Sequence, residues 1–212
     1  MTLSFKKLAF PAAFALATTL TFTACEEKEK KQTAEEAAGG GIKTVKIGEQ
    51  VWMAENLNIE IGNSKCYGND SANCDKYGRL YNWRTALKAC PKGWHLPSDK
   101  DWNVLMKFVN PSCSDNSNCD DAGTKLKATN GWNSKDGKSG NGTDEYDFAA
   151  LPGGRGLSNG KFDNVSCDGA WWSASENDAY NSYIRRMSCS NEHVLWDSTD
   201  KARLFSIRCL QD

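Results

Sequence analysis

One stretch of the sequence, residues 82–105, constrains the fold most, because it encodes two short helices and the corner between them. The first helix is marked by apolar residues that recur at helical spacing, namely Trp83, Ala86, Leu87 and Cys90. Pro91 and Gly93 then end it, since proline lacks an amide proton and glycine favours turns. The chain is therefore expected to turn a corner before residue 98.

The second helix is predicted to begin after Ser98, which stands at the N-cap position. Asp99 and Asp101 follow in the first turn, where negative charge suits the helix dipole, and Ser98 and Asp101 have capping-box spacing. The buried stripe of this helix is predicted to contain Trp102, Leu105, Met106 and Val109. Two short helices cannot cover such faces alone, so a sheet elsewhere in the chain has to pack on them.

The first 24 residues have the organisation of an export signal. Lys6 and Lys7 form a short basic segment, and residues 8–22 form an apolar stretch that is short for a membrane-spanning helix. The stretch ends in small residues followed by Cys25, an arrangement similar to a bacterial lipobox. We therefore expect cleavage before Cys25 and lipid attachment to it. The alternative is plain secretion, which leaves Cys25 as an odd thiol.

Residues 25–41 are predicted to form a flexible tether, because they are charged, lack aromatic side chains and end in three glycines. The folded domain is predicted to occupy residues 42–212, anchored by the lipid at the outer membrane or cell surface. Removal of Lys6 and Lys7 with the signal leaves 24 basic against 27 acidic residues, a net charge of −3. That mild acidity gives no electrostatic basis for binding nucleic acid.

The domain opens with a predicted β-hairpin over residues 44–57, which turns at Gly48. Apolar residues alternate on both sides of that turn, and the buried faces are predicted to carry Val45, Ile47, Val51 and Met53. Trp52 is expected either to be partly exposed or to pack on a second face of the hairpin.

Residues 66–78 are rich in asparagine, aspartate and glycine, so they are predicted to form a loop. Cys66 and Cys74 enclose seven residues there, and Cys113 and Cys119 enclose five, so each pair is a candidate local disulfide. The loop also offers calcium ligands as an alternative role, namely Asn69, Asp70, Asn73 and Asp75. Their spacing does not match an EF-hand, so no metal and no other cofactor is expected.

Short strands are predicted in the last third of the sequence, over residues 148–156, 169–175, 180–189, 193–198 and 202–210. Strands that follow helices indicate an α+β domain. Adjacent residues in a strand point to opposite faces, so Trp171 and Trp172 cannot both enter one core. One of them is expected to face another layer, the helices or a ligand.

Several segments, in order, resemble the Fibrobacter succinogenes major paralogous domain, namely residues 44–58, 66–83, 89–105, 169–175 and 206–210. That family looks like part of the C-type lectin-like superfamily, which includes the formylglycine-generating-enzyme domains. The resemblance implies two short helices packed on small antiparallel sheets, with long loops and disulfide staples. It also implies the bridges Cys90–Cys209 and Cys167–Cys189, which with Cys66–Cys74 and Cys113–Cys119 use all eight cysteines other than Cys25. Such pairing needs an oxidising compartment.

The family has no established activity to transfer, so function has to be argued from side chains. The late loops carry aromatic, amide and charged groups that suit sugar rings and protein surfaces alike. The candidate ligand-binding residues are Arg155, Trp172, Asn177, Tyr180, Tyr183 and Trp196. We favour a non-catalytic module that binds a polysaccharide or a surface protein through these loops. A structural envelope protein without a soluble ligand is the alternative.

An enzyme is the less favoured hypothesis. Formylglycine-generating chemistry needs two reactive cysteines that can bind copper, and none remains if all eight are bridged, whereas free Cys167 and Cys189 would restore it. The sequence contains no G-x-S-x-G elbow, P-loop or H-E-x-x-H motif, and no catalytic residue is assigned. Trp196, Asp197 and Ser198 stand without the E-P-N motif of calcium-dependent lectins, which argues against that mode of sugar binding.

Overall fold

A computed structural model describes residues 41–212 of the chain. Its helices are α1 (Ser71–Tyr77), α2 (Trp83–Ala86), α3 (Asp99–Val109) and α4 (Ala122–Leu126). Its strands are β1 (Thr44–Ile47), β2 (Gln50–Met53), β3 (Trp94–His95), β4 (Arg155–Gly156), β5 (Phe162–Asp163), β6 (Asp168–Glu176), β7 (Asn181–Ser188), β8 (Leu195–Asp200) and β9 (Leu210–Gln211). No helix among these residues is long and apolar enough to cross a membrane.

The short helices and small antiparallel sheets of residues Lys43–Asp212 confirm the predicted α+β class. The strands form three sheets, with the orders β1-β2-β9-β3, β4-β5 and β6-β7-β8. The predicted signal (residues 1–24), the lipidation site Cys25 and the tether up to residue 40 lie outside the described residues, so these remain predictions.

The β1–β2 hairpin forms as predicted, with Gly48 in its turn at a φ of 61° that favours glycine. The register pairs Val45 with Trp52, so Trp52 shares a face with Val45 and Ile47. Trp52 is fully buried and also pairs with Leu210 of β9. The option of a partly exposed Trp52 is therefore wrong, because the turn length places this ring, and not Val51, toward the core.

An aromatic cluster fills the core between the hairpin, α3 and β6. The Trp52 ring centroid lies 4.8 Å from that of Trp102 and 5.9 Å from that of Phe148, and Phe148 lies 6.4 Å from Trp171. The rest of the predicted α3 stripe, Leu105, Met106 and Val109, is also buried. Burial of each of these aliphatic side chains contributes about 1.5–3 kcal/mol.

The predicted corner is present, although its first helix is shorter than the apolar spacing indicated. Asn82 caps α2 by accepting a hydrogen bond from the Thr85 amide, and the helix ends at Ala86. The turn that follows leaves Leu87 44% exposed, so its predicted place on the buried face is wrong. The start of α3 is confirmed, including the reciprocal capping box between Ser98 and Asp101.

The strands β6, β7 and β8 lie where strands were predicted, and both faces of β6 are covered over most of its length. Trp171 donates its Nε1 hydrogen to Asn56 Oδ1 at 2.8 Å. Trp172 donates to the Tyr81 carbonyl oxygen and packs edge-on against Phe205 at 4.9 Å. Both tryptophans are fully buried. The prediction that Trp172 contacts a ligand is therefore wrong, because a second layer of protein covers its face.

The segment before β9 does not form the continuous strand predicted over residues 202–210. Leu204, Phe205 and Ser206 make single bridges to three different partners, Gly156, Tyr81 and Trp171. Regular pairing begins only at Leu210. The segment contacts several elements in turn, so no single neighbour can impose a ladder on it.

Four disulfides join the eight cysteines of the described residues: Cys66–Cys74, Cys90–Cys209, Cys113–Cys119 and Cys167–Cys189. These are the pairs that spacing and family resemblance predict. Cys90–Cys209 has a sequence separation of 119 and ties the corner to the residue before β9. The other three close short segments around the loops.

Arg208 is a fully buried cation next to this bridge. Its guanidinium donates to the Phe148 carbonyl oxygen and to Asn56 Oδ1, and it lies 4.2 Å from the Phe148 ring centroid. Burial lowers the pKa of Arg208 to about 9, while the charges of Asp144 and Glu55 oppose that shift. The residue therefore positions the 148–149 segment through carbonyl contacts.

Candidate ligand-binding surface

Two aromatic side chains stack on the face of the β6–β7–β8 sheet that meets α3. The register pairs Arg185 with Trp196 and Tyr183 with Ser198, so Tyr183, Arg185 and Trp196 share one face. The Tyr183 and Trp196 rings lie 4.8 Å apart at an interplanar angle of 19°. Both side chains are partly exposed. The pair therefore presents aromatic surface at the edge of the core.

Asp99, the first residue of α3, fixes the orientation of the Trp196 ring. Its Oδ2 atom accepts the Trp196 Nε1 hydrogen at 2.7 Å. Its Oδ1 atom accepts a hydrogen bond from Arg185 Nη1 at 3.0 Å, and Arg185 Nη2 donates to Asn103 Oδ1 at 3.1 Å. One carboxylate thus links the helix to two neighbouring strands.

The Arg185 guanidinium is only 1% exposed, so its interaction with Asp99 is a buried ion pair. Burial lowers the pKa of Arg185, and the charge and hydrogen bond of Asp99 oppose that shift. Breaking such a pair by removing one partner costs about 3–5 kcal/mol, because the other charge stays buried. Because Arg185 holds the Asp99 carboxylate, the hydrogen bond from Trp196 sets the orientation of the indole.

The connection between β6 and β7 lies beside the stacked rings. Asp178 Oδ1 accepts hydrogen bonds from the backbone amides of Tyr180 and Asn181 at 2.7 and 2.8 Å. These bonds, with one from the Asn181 side chain as the largest contribution, lower the pKa of Asp178. Asn177 Nδ2 lies 3.3 Å from Ser198 Oγ, on the residue that pairs with Tyr183.

We call this region the aromatic surface and define it as Asn177, Tyr183 and Trp196. Asn177 is exposed, and Tyr180, in the same β6–β7 connection, is 80% exposed. Three of the six predicted ligand-binding residues therefore lie on or beside one face of the sheet, and Tyr180 lies in the connection next to them in sequence.

Residues 45–211 match the family described as the Fibrobacter succinogenes major domain. The match spans most of the 212 residues. The chain belongs to this family. The resemblance that the segments indicated is thereby confirmed. No curated protein and no solved structure matches the chain.

Within this Fibrobacter succinogenes major domain, Arg155 lies away from the aromatic surface. Arg155 on β4 pairs with Asp163 at 2.6 Å, and its Nη1 lies 3.8 Å from an oxygen of Asp168, the first residue of β6. Asn177 follows the last residue of that nine-residue strand. The two ends of such a strand are roughly 26 Å apart. Arg155 was therefore wrongly grouped with the others, because its ion pairs hold it at the opposite end of β6.

Residues 66–78, the alternative calcium site, do not form the predicted loop, because Ser71–Tyr77 are helix α1. The polar side chains of this segment are used locally. Asp70 accepts a hydrogen bond from the Ala72 amide as the N-cap of α1, and Asn73 Nδ2 donates to the Tyr67 carbonyl oxygen. Across residues 41–212, no group of three or more histidine, cysteine, aspartate or glutamate residues could hold a metal ion. The geometry of the segment thus provides capping contacts and offers nothing further in favour of calcium.

Asp99 and Arg185 support the aromatic surface but were not among the predicted site residues. Asp99 was expected only to favour the helix dipole, and Arg185 sits in an alternating strand pattern with nothing to mark it as buried. They are 86 positions apart in the sequence. The acidic residue at the start of α3 was the one sign in the sequence of this ion pair. Local spacing could not predict that Arg185 is its partner.

Proposed function

We propose that the chain is a cell-envelope lipoprotein whose Fibrobacter succinogenes major domain binds polysaccharide through the aromatic surface, without catalysis. The observation that carries this proposal is the stacked Tyr183–Trp196 pair, which the Asp99–Arg185 ion pair holds in place at the surface. A rigid, partly exposed aromatic pair loses little conformational entropy when a ligand binds.

The polar groups around the rings support a sugar ligand in particular. Sugar rings present C–H faces that pack on aromatic rings and hydroxyl groups that need hydrogen-bond partners. Exposed Asn177 and Asp178 can supply donors and acceptors beside Tyr183. A protein ligand is the competing outcome, since exposed tyrosine and tryptophan also anchor protein interfaces.

A C-type lectin-like fold and a lipid anchor at Cys25 belong to the same proposal. The lectin-like assignment is supported by the family resemblance and by the Cys90–Cys209 bridge between the first helix region and the last strand region. The anchor is supported by the signal-like residues 1–24 and by the even number of cysteines left after Cys25. Together they favour a module displayed at the outer membrane or cell surface.

The proposal of a non-catalytic role is supported by the cysteine pairing. Formylglycine-generating chemistry would need a free pair, and Cys167 is bonded to Cys189. A structural envelope role is the remaining alternative. It predicts no soluble ligand, whereas the aromatic surface predicts one.

The test is binding of the full-length protein, purified in detergent, to a glycan array and to immobilised polysaccharides. We expect at least one polysaccharide to bind. Tyr183→Ala should weaken that binding about tenfold or more, equivalent to about 1.4 kcal/mol. Trp196→Phe keeps a ring but removes the Asp99 hydrogen bond, so it should weaken binding less than Tyr183→Ala.

Phe108→Ala is the matched control, because Phe108 is an aromatic residue on α3 that is 49% exposed and lies outside the aromatic surface. Circular dichroism of each variant separates lost binding from lost folding. Binding that survives Tyr183→Ala unchanged would place the ligand elsewhere. Failure of every polysaccharide to bind would favour the protein-ligand or structural alternative.

A further inference from the structure

A cavity of about 300 Å³ lies on a part of the domain that the aromatic surface does not include. Three segments form its walls: the C-terminal end of α4 with Lys127, the hairpin around Lys135 and Lys138, and the chain after β7 from Cys189 to Glu192. Ligand pockets in proteins begin at about this volume. The cavity has room for one small ring.

The hairpin wall is fixed by its own backbone and by packing. Lys135 and Lys138 exchange two backbone hydrogen bonds of 2.9 Å, around a turn in which Asp136 and Gly137 have φ of 51° and 78°. A side chain at Gly140 would lie 2.8 Å from Cys189 Cβ, so the hairpin packs directly on the Cys167–Cys189 bridge. The cavity is therefore preformed between a turn and a disulfide.

Lys127 places a buried cation in the wall of the cavity. The residue is 3% exposed, and its ammonium donates to the carbonyl oxygens of Ser188 and Asn191 at 3.1 and 3.0 Å. The ammonium also lies 5.2 Å from the Trp132 ring centroid. An ammonium has three donors, and these carbonyls use two of them.

The lysines around the cavity form no ion pairs with the protein in the part of the chain that the structure describes. Among residues 41–212, none of Lys127, Lys135 and Lys138 has a carboxylate oxygen within ion-pair distance. Burial lowers the pKa of Lys127, and the charge of Glu192 opposes that shift. Lys135 and Lys138 stand directly opposite each other, and like charges in that position are destabilising. An anion bound between them would relieve the repulsion.

The remaining lining groups indicate what else the ligand carries. The three lysines that line the cavity carry three formal positive charges, and Asp136 and Glu192 offset two of them, which leaves an excess of one positive charge. Carboxylates accept hydrogen bonds from hydroxyl groups, and Thr124, Ser190 and Asn141 add neutral donors and acceptors. A bare anion would meet these two carboxylates unfavourably, whereas a hydroxylated ring with one negative substituent satisfies both kinds of group.

We propose that this cavity binds one anionic sugar unit, a hydroxyl-bearing ring with a carboxylate, sulfate or phosphate group placed between Lys135 and Lys138. The carbonyl-bound Lys127 adds positive potential from behind the ring, and Asp136 and Glu192 accept its hydroxyl groups. The site is separate from the aromatic surface and stands whether or not that surface binds polysaccharide.

The test is titration of the full-length protein in detergent with glucuronate, glucose 6-sulfate, glucose 6-phosphate, glucose and inorganic phosphate, followed by calorimetry or protein NMR. At least one anionic sugar should bind about tenfold more tightly than glucose and than inorganic phosphate, and added salt should weaken it. The three anionic sugars distinguish which substituent the cavity accepts.

Lys135→Ala/Lys138→Ala should reduce that affinity about tenfold and remove the preference for charge. Lys88→Ala/Lys92→Ala is the matched control, because it removes the same charge from exposed positions outside the cavity. Tyr183→Ala should leave binding to the cavity unchanged. The variant therefore distinguishes a failure of the cavity proposal from a failure of the aromatic surface. Equal affinity for glucose, tighter binding of inorganic phosphate, or equal loss in both lysine pairs would overturn the proposal.

Discussion

Tyr81 is a buried residue that connects strand β6 to the loop at residues 57–59, since its carbonyl oxygen accepts a hydrogen bond from Trp172. Its hydroxyl oxygen accepts a hydrogen bond from the Ile59 amide at 3.0 Å and lies 2.8 and 3.2 Å from the carbonyl oxygens of Ile59 and Leu57. Burial raises the pKa of this phenol well above its usual value, while the Ile59 backbone and the charge of Arg79 oppose that shift. The fold therefore requires the protonated form.

Tyr81→Phe should change the alkaline behaviour of the protein. A raised folded-state pKa contributes stability that is fully present below the unfolded pKa of about 10 and is lost as pH rises beyond it. In the wild type, the Tyr81 phenolate should appear only as the protein unfolds. In the variant, the absorbance of the Tyr81 phenolate should be missing. The free energy of unfolding at neutral pH should be lower by about 1 kcal/mol. A wild-type phenolate signal that is complete while the fold persists would contradict this.

The contacts of some single residues could not be predicted from the sequence. The alternation around Trp171 and Trp172 predicted opposite faces correctly, but it could not reveal that Phe205 and Tyr81 cover the second face. Lys127 stood in a polar stretch and gave no sign of burial. In each case the decisive neighbour lies dozens of positions away, and local spacing carries no information about it.

The helix α3 is the element that joins core and surface. Its buried stripe packs into the aromatic cluster, while Asp99 in its first turn holds Trp196 and Arg185. The first turn is set by the capping box, in which the Asp101 amide donates to Ser98 Oγ at 3.3 Å and the Ser98 amide donates to Asp101 Oδ2 at 2.9 Å. Loss of the cap would loosen the turn that carries Asp99.

Ser98→Ala should lower the free energy of unfolding by about 1 kcal/mol, because the cap satisfies an orphan amide. For a domain of this size, the melting temperature should fall by about 2–4 °C. Ser112→Ala, an exposed serine just after α3, should change stability by less than about 0.5 kcal/mol. Thermal and urea unfolding of both variants measure the difference, and equal effects would show that the cap does not stabilise α3.

Elements with local signals were predicted best. The α3 cap and stripe, the Gly48 turn and the strands β6 to β8 all follow from residues within one element. The stretch at 202–208 was mistaken for a strand, because its apolar alternation serves three separate partners. The aromatic surface was found in part, since aromatic and amide residues mark it, whereas its ionic support lies on another element.

Across the whole molecule, the two ends of the domain meet in one sheet. Strand β9 lies between β2 of the opening hairpin and β3 of the corner. The Cys90–Cys209 bond fastens the same junction covalently. This pairing came from family resemblance, since eight cysteines allow 105 connectivities and spacing alone cannot choose among them.

The loss of stability on removing each disulfide should increase with the length of chain that the disulfide closes. Cys90→Ala/Cys209→Ala should lower the free energy of unfolding by about 5 kcal/mol, and Cys66→Ala/Cys74→Ala by about 2.5 kcal/mol, on the loop-entropy relation. The measurement is urea unfolding under oxidising conditions, with the short-loop pair as the control for loss of two sulfur atoms. Equal losses would show that loop length does not set the contribution of these bonds.

The Cys90–Cys209 bond also limits how far the domain can be stretched. If the proposed lipid anchor and ligand hold the protein from both sides, tension enters near Lys43 and first loads the β1–β2 hairpin. The sequence separation of 119 across this bond corresponds to roughly 400 Å of extended chain. The shortest covalent path from Cys90 to Trp196 crosses the bond and returns from Cys209, so most of that length cannot be extended unless the disulfide breaks.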